Sequence, residues 1–355
     1  MDEEPMIDNM TETMDDLCKN PDVIHPDTIG STLQKIHSVI FVMSVLSAPL
    51  QLYVIRLTTG HIKHRTGDQC LHIFLMSMTI GDVLLTGVCY PIEMLPRIFE
   101  TLTFPFAVNM FMHVLTWISM LTSSLSLVLL NVDKLLYFKY PLQYSSYITR
   151  SRGLTTVCIL WIGCSIFVLG GWLTGCFLCE GPNCDQLRLF PGATGMYLVF
   201  TISVCIVPTI SSLLVACYVL HVVGRHRKLL AEEQALCRSS TSSTASHVML
   251  SRLKTFYFIF MSSLLTAVTL LPLRLYNLRR LVFEWIAELG AEYEPSETTC
   301  LEVLVMWVMM YMLQLNAILN PVMSVTILPQ YRINFCSWWQ KKGNPPSSSR
   351  QITDL

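Results

Sequence analysis

A few polar side chains stand inside long apolar stretches, and their types define the chemistry open to the chain. Asp82 lies within "MSMTIGDVLLTG". Asn316 and Asn320 stand four apart in "LQLNAILNPVMS", which puts them on one helix face. Ser123 lies in the second half of another apolar stretch. One carboxylate with amide and hydroxyl oxygens can hold a small cation such as Na⁺, or a water network. The same groups can equally form a neutral hydrogen-bonded cluster that only ties helices together.

A second set lies towards the other ends of these stretches. Glu93 follows Pro91, His113 and Trp117 are one turn apart, Arg274 and Asn277 follow Pro272, and Trp307, Tyr311 and Gln314 step along at helical spacing. Aromatic rings with a few charges at the mouth of a helix bundle suit a ligand cavity. Taken alone, the aromatic residues also suit an interfacial belt. Arg274 is the sharpest of these residues. It can bind a ligand carboxylate, pair with Glu93, or reach out to the interface.

A third constellation is "LLNVDKLLYFKYPLQY", residues 129–144, where Asp133 and Lys134 close an apolar run ahead of Lys139, Tyr140 and Pro141. Its simplest reading is a charged helix end. Its meaning depends on the elements that carry it.

Those elements are membrane spans. The chain has 355 residues, 52% hydrophobic and only 14% charged, with a mean hydropathy of +0.49. A soluble domain carries about 25% charged residues, and a span needs roughly 20 apolar ones. Seven blocks qualify: about 33–57, 70–96, 106–138, 153–175, 193–223, 252–278 and 300–327. The fold expected is all-α, a seven-transmembrane helix bundle. Residues 1–32 form an acidic tail before the bundle (33–328). A short amphipathic helix and tail (329–355) follow, with aromatic and basic residues mixed in "LPQYRINFCSWWQKK". The first 30 residues lack the basic start and apolar centre of a cleavable signal, so block one is expected to direct insertion.

Lys and Arg orient the bundle. Alternate links and the C-terminal segment hold 17 of the 24 basic residues, among them Arg65, Lys134, Arg152, Arg227 and Lys341. That side is expected to be cytoplasmic, with the N-terminus outside at the plasma membrane. Asn9-Met10-Thr11 is a glycosylation acceptor on the expected outside. Cys336 is a palmitoylation candidate or simply a free thiol. "RSSTSSTAS" in the 224–251 link is a candidate for phosphorylation or a solvated linker. Net charge is −1, which argues neither way about nucleic acid, and no nucleic-acid partner is expected. No CxxC pair is followed by a second pair or a His pair, so no zinc site is expected. Pro208, Pro272 and Pro321 fall inside spans five, six and seven, where a kink can serve as a pivot or be merely tolerated.

Seven spans in this orientation, Asp82 in span two, "VDKLLYFKYPL" closing span three, Trp161 in span four, Pro208, Pro272 and "NPVMS" resemble a rhodopsin-like (class A) G-protein-coupled receptor of divergent type. The resemblance covers about residues 33–340. It implies a receptor, not an enzyme, that binds an extracellular ligand and couples to a heterotrimeric G protein, with arrestin and kinases as further partners. It implies a sodium site of Asp82, Ser123, Asn316 and Asn320, the only cofactor expected. It places G-protein coupling at Asp133, Lys134, Pro141 and Leu142. The ligand cavity it implies holds Glu93, His113, Trp117, Arg274, Asn277, Trp307, Tyr311 and Gln314. A peptide ligand is favoured, because "HVLTWISML" in span three offers no acid for an amine.

Departures from the family pattern are several. Lys134 and Leu135 stand where Arg and Tyr are usual, and Lys lacks the planar fork of Arg. Leu270 replaces the span-six Trp, Ser324 the span-seven Tyr, and Pro49 the span-one Asn. Arg252 stands where some receptors carry an acid that locks span three. Position 109 is Asn, so the usual disulfide from span three cannot form. Cys179 and Cys184 can pair with each other, or with Cys18, Cys89 or Cys300. The alternative function is a non-signalling or constitutively biased scaffold or decoy. A transporter or membrane enzyme fits poorly: no internal repeat, no Lys in 300–327 and no metal-spaced residues in the spans.

Overall fold

A computed structural model of the chain describes residues 26–65, 68–99, 102–140, 143–180, 182–184, 186–189, 193–218, 221, 243–288, 300–328 and 331. Asn9, Cys18, Pro141, Leu142, Cys336, residues 224–242 and the tail beyond 331 lie outside these.

Among the described residues, seven helices are long and apolar enough to cross a membrane. Spans one to seven are Thr32–His64, Gln69–Ile98, Phe106–Tyr137, Arg150–Leu173, Thr194–Tyr218, Tyr257–Phe283 and Val305–Ile327. They form a multi-pass bundle, as the apolar blocks require. The first helix, Pro26–His64, overruns block 33–57, and the sixth, Ser243–Glu288, overruns 252–278. The apolar pattern marks only the length that meets lipid, and a helix already nucleated continues into its polar flanks.

Burial separates central from peripheral spans. In the apolar 18-residue stretch of each span, 67% of span two and 61% of span three are buried, against 17% of span four. Leu46, Ile159, Ile162, Ile166 and Leu214 are 60–66% exposed, so this apolar outer face requires lipid rather than water. Spans two and three pack most extensively on each other. Gly81 permits this, because a Cβ there would lie 3.0 Å from the Ser119 carbonyl and 3.1 Å from Ser123 Cβ.

Two π-turns were not anticipated. Leu85–Cys89 interrupts span two and Ile202–Ile206 interrupts span five. In each, the following amide bonds five residues back, Tyr90 to Leu85 and Val207 to Ile202. Pro91 and Pro208 come directly after. A proline ring clashes with the carbonyl four residues back, and the widened turn accommodates it.

The three prolines expected as pivots therefore differ. Pro208 adjoins a π-turn, whereas Pro272 and Pro321 lie inside α-helices that run on through them, Ser243–Glu288 and Cys300–Ile327. Pro321 has no amide to offer the carbonyl four residues back, which is that of Ala317. Gln51 of span one donates its side-chain amide to that carbonyl (3.1 Å). Pro321 is thus braced from a neighbouring span, and bending at this point has to carry or break the Gln51 bond.

Polar pairs stitch the bundle from inside. The Trp161 indole donates to Ser77 Oγ (3.1 Å), and Ser77 bonds Ser126 (2.8 Å), joining spans two, three and four. Asn131 donates to Ser211 (2.9 Å) and Ser212 (2.6 Å), and Ser212 bonds Ser263, joining three, five and six. Gln51 supplies the amide missing at Pro49. Besides its bond to Ala317 it accepts from Thr86 (2.7 Å), tying span one to seven and two.

At one end, β1 (Phe177–Glu180) and β2 (Gln186–Leu189) form an antiparallel hairpin, with Phe177 opposite Leu189 and Glu180 opposite Gln186. Cys179 and Cys184 are disulfide-bonded to each other, closing a small ring within it. This end is called the hairpin end below, and the opposite one the basic end.

Gly81→Val is expected to destabilise the bundle by about 1–3 kcal/mol through overpacking against span three. Thermal unfolding of the purified protein reads this, and an unchanged midpoint would show that the close approach is not required.

Candidate functional site

The expected site residues fall into three levels along the bundle. The middle level is built on Asp82, which span two holds 1% exposed. One carboxylate oxygen accepts from Ser123 Oγ (2.7 Å), the other from Asn320 Nδ2 (2.9 Å). Asn320 Oδ1 accepts in turn from Ser262 (3.1 Å), and Asn316 Oδ1 accepts from Thr266 (3.2 Å). One acid therefore couples spans two, three and seven directly and span six through an amide. Asn316 makes no bond to the carboxylate. It does line a small cavity of about 10 Å³ beside it, with Asp82, Ser123 and Ser124. That is room for one water or one small ion. One negative charge with hydroxyl and amide oxygens is a hard-cation donor set, so the residues fit Na⁺.

At the hairpin end, the expected ligand-cavity residues divide in two. Arg274 does not pair with Glu93. It is 5% exposed, under the hairpin, and caged by rings: its guanidinium carbon lies 5.4 Å from the Trp117 centroid, 5.8 Å from Tyr197 and 4.9 Å from Phe200. It donates to Tyr197 Oη (3.4 Å) and lies 3.3 Å from Met120 Sδ. No acid lies in this cage among the described residues, and Nε has no partner there. Phe177 of the hairpin packs edge-on against Trp117 (4.8 Å) and stacks on Trp172 (5.2 Å), covering one ring of the Arg274 cage. Asn277 is half-buried one turn from Arg274, and Gln314 is buried.

The hairpin is held to span three without a disulfide. Asn109 Nδ2 donates to the Asn183 carbonyl (2.9 Å), and His113 Nε2 lies 3.1 Å from the Cys184 carbonyl. His113 therefore anchors the hairpin. Nothing in the sequence pattern pointed to Asn109 except the missing cysteine at that position.

Glu93, Trp307 and Tyr311 form the other part, between spans one, two and seven. Glu93 pairs with Arg97 at 3.2 Å, one turn along the same helix. Arg97 sits 5.1 Å over the Trp307 ring, and His37 makes edge contacts with Trp307 and Tyr311, both at 5.5 Å. Sequence reasoning missed His37 and Arg97. Each is an isolated polar residue near a span end, where an interfacial role is the simpler expectation.

At the basic end, Asp133 and Lys134 are not an exposed helix end; they are 2% and 6% exposed. Lys134 Nζ donates to Asp133 Oδ2 (2.8 Å) and to Asp68 Oδ2. The Tyr144 hydroxyl lies 2.7 Å from Asp133 Oδ1 and 3.1 Å from Asp68 Oδ1. Asp68 also caps span two, accepting from the Leu71 amide (3.3 Å). An ammonium donates in three directions, which suits two carboxylates on different segments better than a planar fork would. Burial alone would push the Asp68 carboxyl up. The Lys134 charge and the hydrogen bonds from Lys134, Leu71 and Tyr144 outweigh it and hold the group below the usual aspartate value. Burial and the two carboxylates drive the Tyr144 phenol far above its usual value, so it remains a donor. Asp68 and Tyr144 were not anticipated, because an Asp before a helix reads as a cap and a Tyr in a link reads as nothing in particular.

Seven spans around a buried acid, with a guanidinium caged by rings at one end and a charged cluster at the other, define a heptahelical membrane receptor. Residues 52–323 match the 7 transmembrane receptor (rhodopsin family) model, and the chain belongs to that family, which comprises receptors and not enzymes. It is 23% identical over 272 residues to the G-protein coupled receptor aex-2 of Caenorhabditis elegans, covering 76% of this chain and 73% of that protein. It is 30% identical over 127 residues to the gastrin/cholecystokinin type B receptor of Canis lupus familiaris, covering 36% and 27%. It is 29% identical over 115 residues to the alpha-1A adrenergic receptor of Cavia porcellus, covering 31% and 24%. Its matches to the alpha-1A adrenergic receptors of guinea pig and dog span 24% and 50% of those proteins' length.

Asp68→Asn is expected to cost about 1–2 kcal/mol near neutral pH, less than a lone buried charge because Asp133 remains. The Asp68 pKa is depressed in the fold, so its contribution is complete above the ordinary aspartate value and is lost as pH falls through the lowered one. Thermal unfolding at neutral and acid pH measures this. An equal loss at both would exclude the ion pair as the cause.

Proposed function

We propose that the chain is a plasma-membrane receptor, N-terminus outside, that binds a ligand under the hairpin and signals to a heterotrimeric G protein at its basic, cytoplasmic end. The observation that carries this reading is the Arg274 cage. A buried guanidinium with no acid beside it is expensive in a membrane. Aromatic faces offset only about 1–2 kcal/mol of that cost. An anionic group brought by a ligand completes the site, with Arg274 Nε as a ready donor. Relatives named as cholecystokinin receptors support a peptide. Relatives named as adrenergic receptors point the other way, but span three has no acid in "HVLTWISML" to receive an amine.

Coupling needs a two-state element. The Lys134 clamp is our candidate: with Arg252 in span six instead of an acid, Asp68 acts as the counter-ion that keeps Lys134 turned inward. Releasing Lys134 frees the surface that meets the G protein. Spans five and six swing at Pro208 and Pro272 in this scheme, and span seven at Pro321 once the Gln51 brace yields. A sodium ion held by Asp82, Ser123 and Asn316 would stabilise the resting arrangement by bridging spans two, three and seven. Leu270, Ser324 and Lys134 favour a second reading, a receptor-like scaffold that does not signal.

A G-protein activation screen in cells with peptide libraries separates the two readings. The signalling reading expects a hit that Arg274→Gln abolishes. Asp68→Ala is expected to raise basal activity about fivefold or more, the equivalent of about 1 kcal/mol of released constraint. Asp82→Asn is expected to remove any effect of sodium concentration on the response. Silence of the surface-expressed native chain with every G-protein class, and activity only in Lys134→Arg, would establish the scaffold reading.

A further inference from the structure

We propose that the side-chain cluster between spans one, two and seven at the hairpin end is a second recognition site, one that takes a primary carboxamide group of the ligand. The proposal rests on the reading that ligand enters from this end. Three side chains from three spans surround one indole. The Arg97 guanidinium lies 5.1 Å from the Trp307 centroid, the His37 ring 5.5 Å and the Tyr311 ring 6.0 Å. His37 is 1% exposed and Tyr311 6%. Each carries a buried polar atom with no partner among the described residues: His37 Nε2, Tyr311 Oη and Arg97 Nη1. Buried polar groups are almost always satisfied, and three unmet ones around a single ring indicate a shared partner.

Charge decides what that partner is. Arg97 already pairs with Glu93 through its other terminal nitrogen at 3.2 Å, so the cluster is close to neutral. A carboxylate arriving there would meet the Glu93 charge. An ammonium would meet the guanidinium. A neutral planar group that both accepts and donates meets neither. The inventory matches a primary amide: Arg97 only donates, Tyr311 does either, and His37 Nε2 accepts or donates according to tautomer. The amide oxygen would take the Arg97 and Tyr311 donors, and its NH₂ would face His37. The Trp307 face supplies a flat apolar wall for the same group. The Arg274 cage, with no acid among the described residues, prefers an anion; this cluster prefers an amide, so the two sites discriminate different parts of one ligand. Such an amide comes either from an amidated peptide terminus or from an Asn or Gln side chain.

The full chain, purified in lipid nanodiscs, is titrated with three probes, and its melting temperature is followed. The probes are N-acetyl-phenylalaninamide, N-acetyl-asparagine methyl ester and N-acetyl-phenylalanine. A saturable rise with the first identifies a terminal amide as the source, and with the second a side-chain amide. In the Arg274→Gln chain, which lacks the anion site, the free acid is expected to give a several-fold weaker shift than the amide. Tyr311→Phe and His37→Phe, which keep the rings, are expected to lose the shift, whereas Arg274→Gln keeps it. Equal shifts with acid and amide in the Arg274→Gln chain, a shift that survives both Phe variants, or no shift with any probe would overturn the proposal. Loss in Arg274→Gln alone would move the amide to the main cavity, overturning this site and leaving the receptor reading intact.

Discussion

The Asp82 carboxylate, bonded to Ser123 and Asn320, is the interaction on which the rest of the bundle depends. A charge buried between helices is tolerated only if other groups turn inward to meet it. Once Ser123 and Asn320 do so, spans two, three and seven have a fixed rotation, and their apolar residues are left to face one another or the lipid. The Gly81 contact follows from the same constraint, since the carboxylate reaches Ser123 only if the two backbones approach closely. Through Ser262 the amide of Asn320 passes the constraint to span six.

The chain meets several family roles with different residues. Gln51 ties span one to two and seven in place of an amide at 49, and in doing so serves the carbonyl that Pro321 leaves without a donor. Asn109 and His113 hold the hairpin in place of a disulfide, and the Cys179–Cys184 ring stiffens the hairpin on its own. Asp68 and Tyr144 surround Lys134 where an arginine would reach elsewhere. In each case a buried polar group or a tether is met by residues other than the usual ones. That is what the cost of an unmet polar group inside lipid would produce. Hydrogen bonds in place of a covalent tether to span three also leave the hairpin easier to displace.

Charge balance differs sharply between the two ends. At the basic end one ammonium meets two carboxylates, so the cluster carries excess negative charge and holds its cation firmly. Among the described residues, one guanidinium in the Arg274 cage meets none, and in the neighbouring cluster one meets a single acid. A receptor whose charged groups are met at the basic end and left incomplete at the hairpin end has a physical reason to respond to a group that arrives at the hairpin end.

Composition and periodicity alone determined the number of spans, their approximate limits and the residues too polar to be mere filling, because a bilayer imposes a length and a polarity that can be read along one dimension. Asp82, Ser123 and Asn320 were legible for the same reason. The tertiary structure alone decided who meets whom. It separated Arg274 from Glu93, gave Glu93 to Arg97, brought His37 to Trp307 and Tyr311, and folded Asp68 against Lys134, 66 residues away. It also decided how each proline is accommodated, by a π-turn before Pro91 and Pro208 and by a donor from span one at Pro321, which depends on what its neighbours can supply once packed. Pairing across spans depends on helix rotation and depth, and these are set by the packing of all seven together.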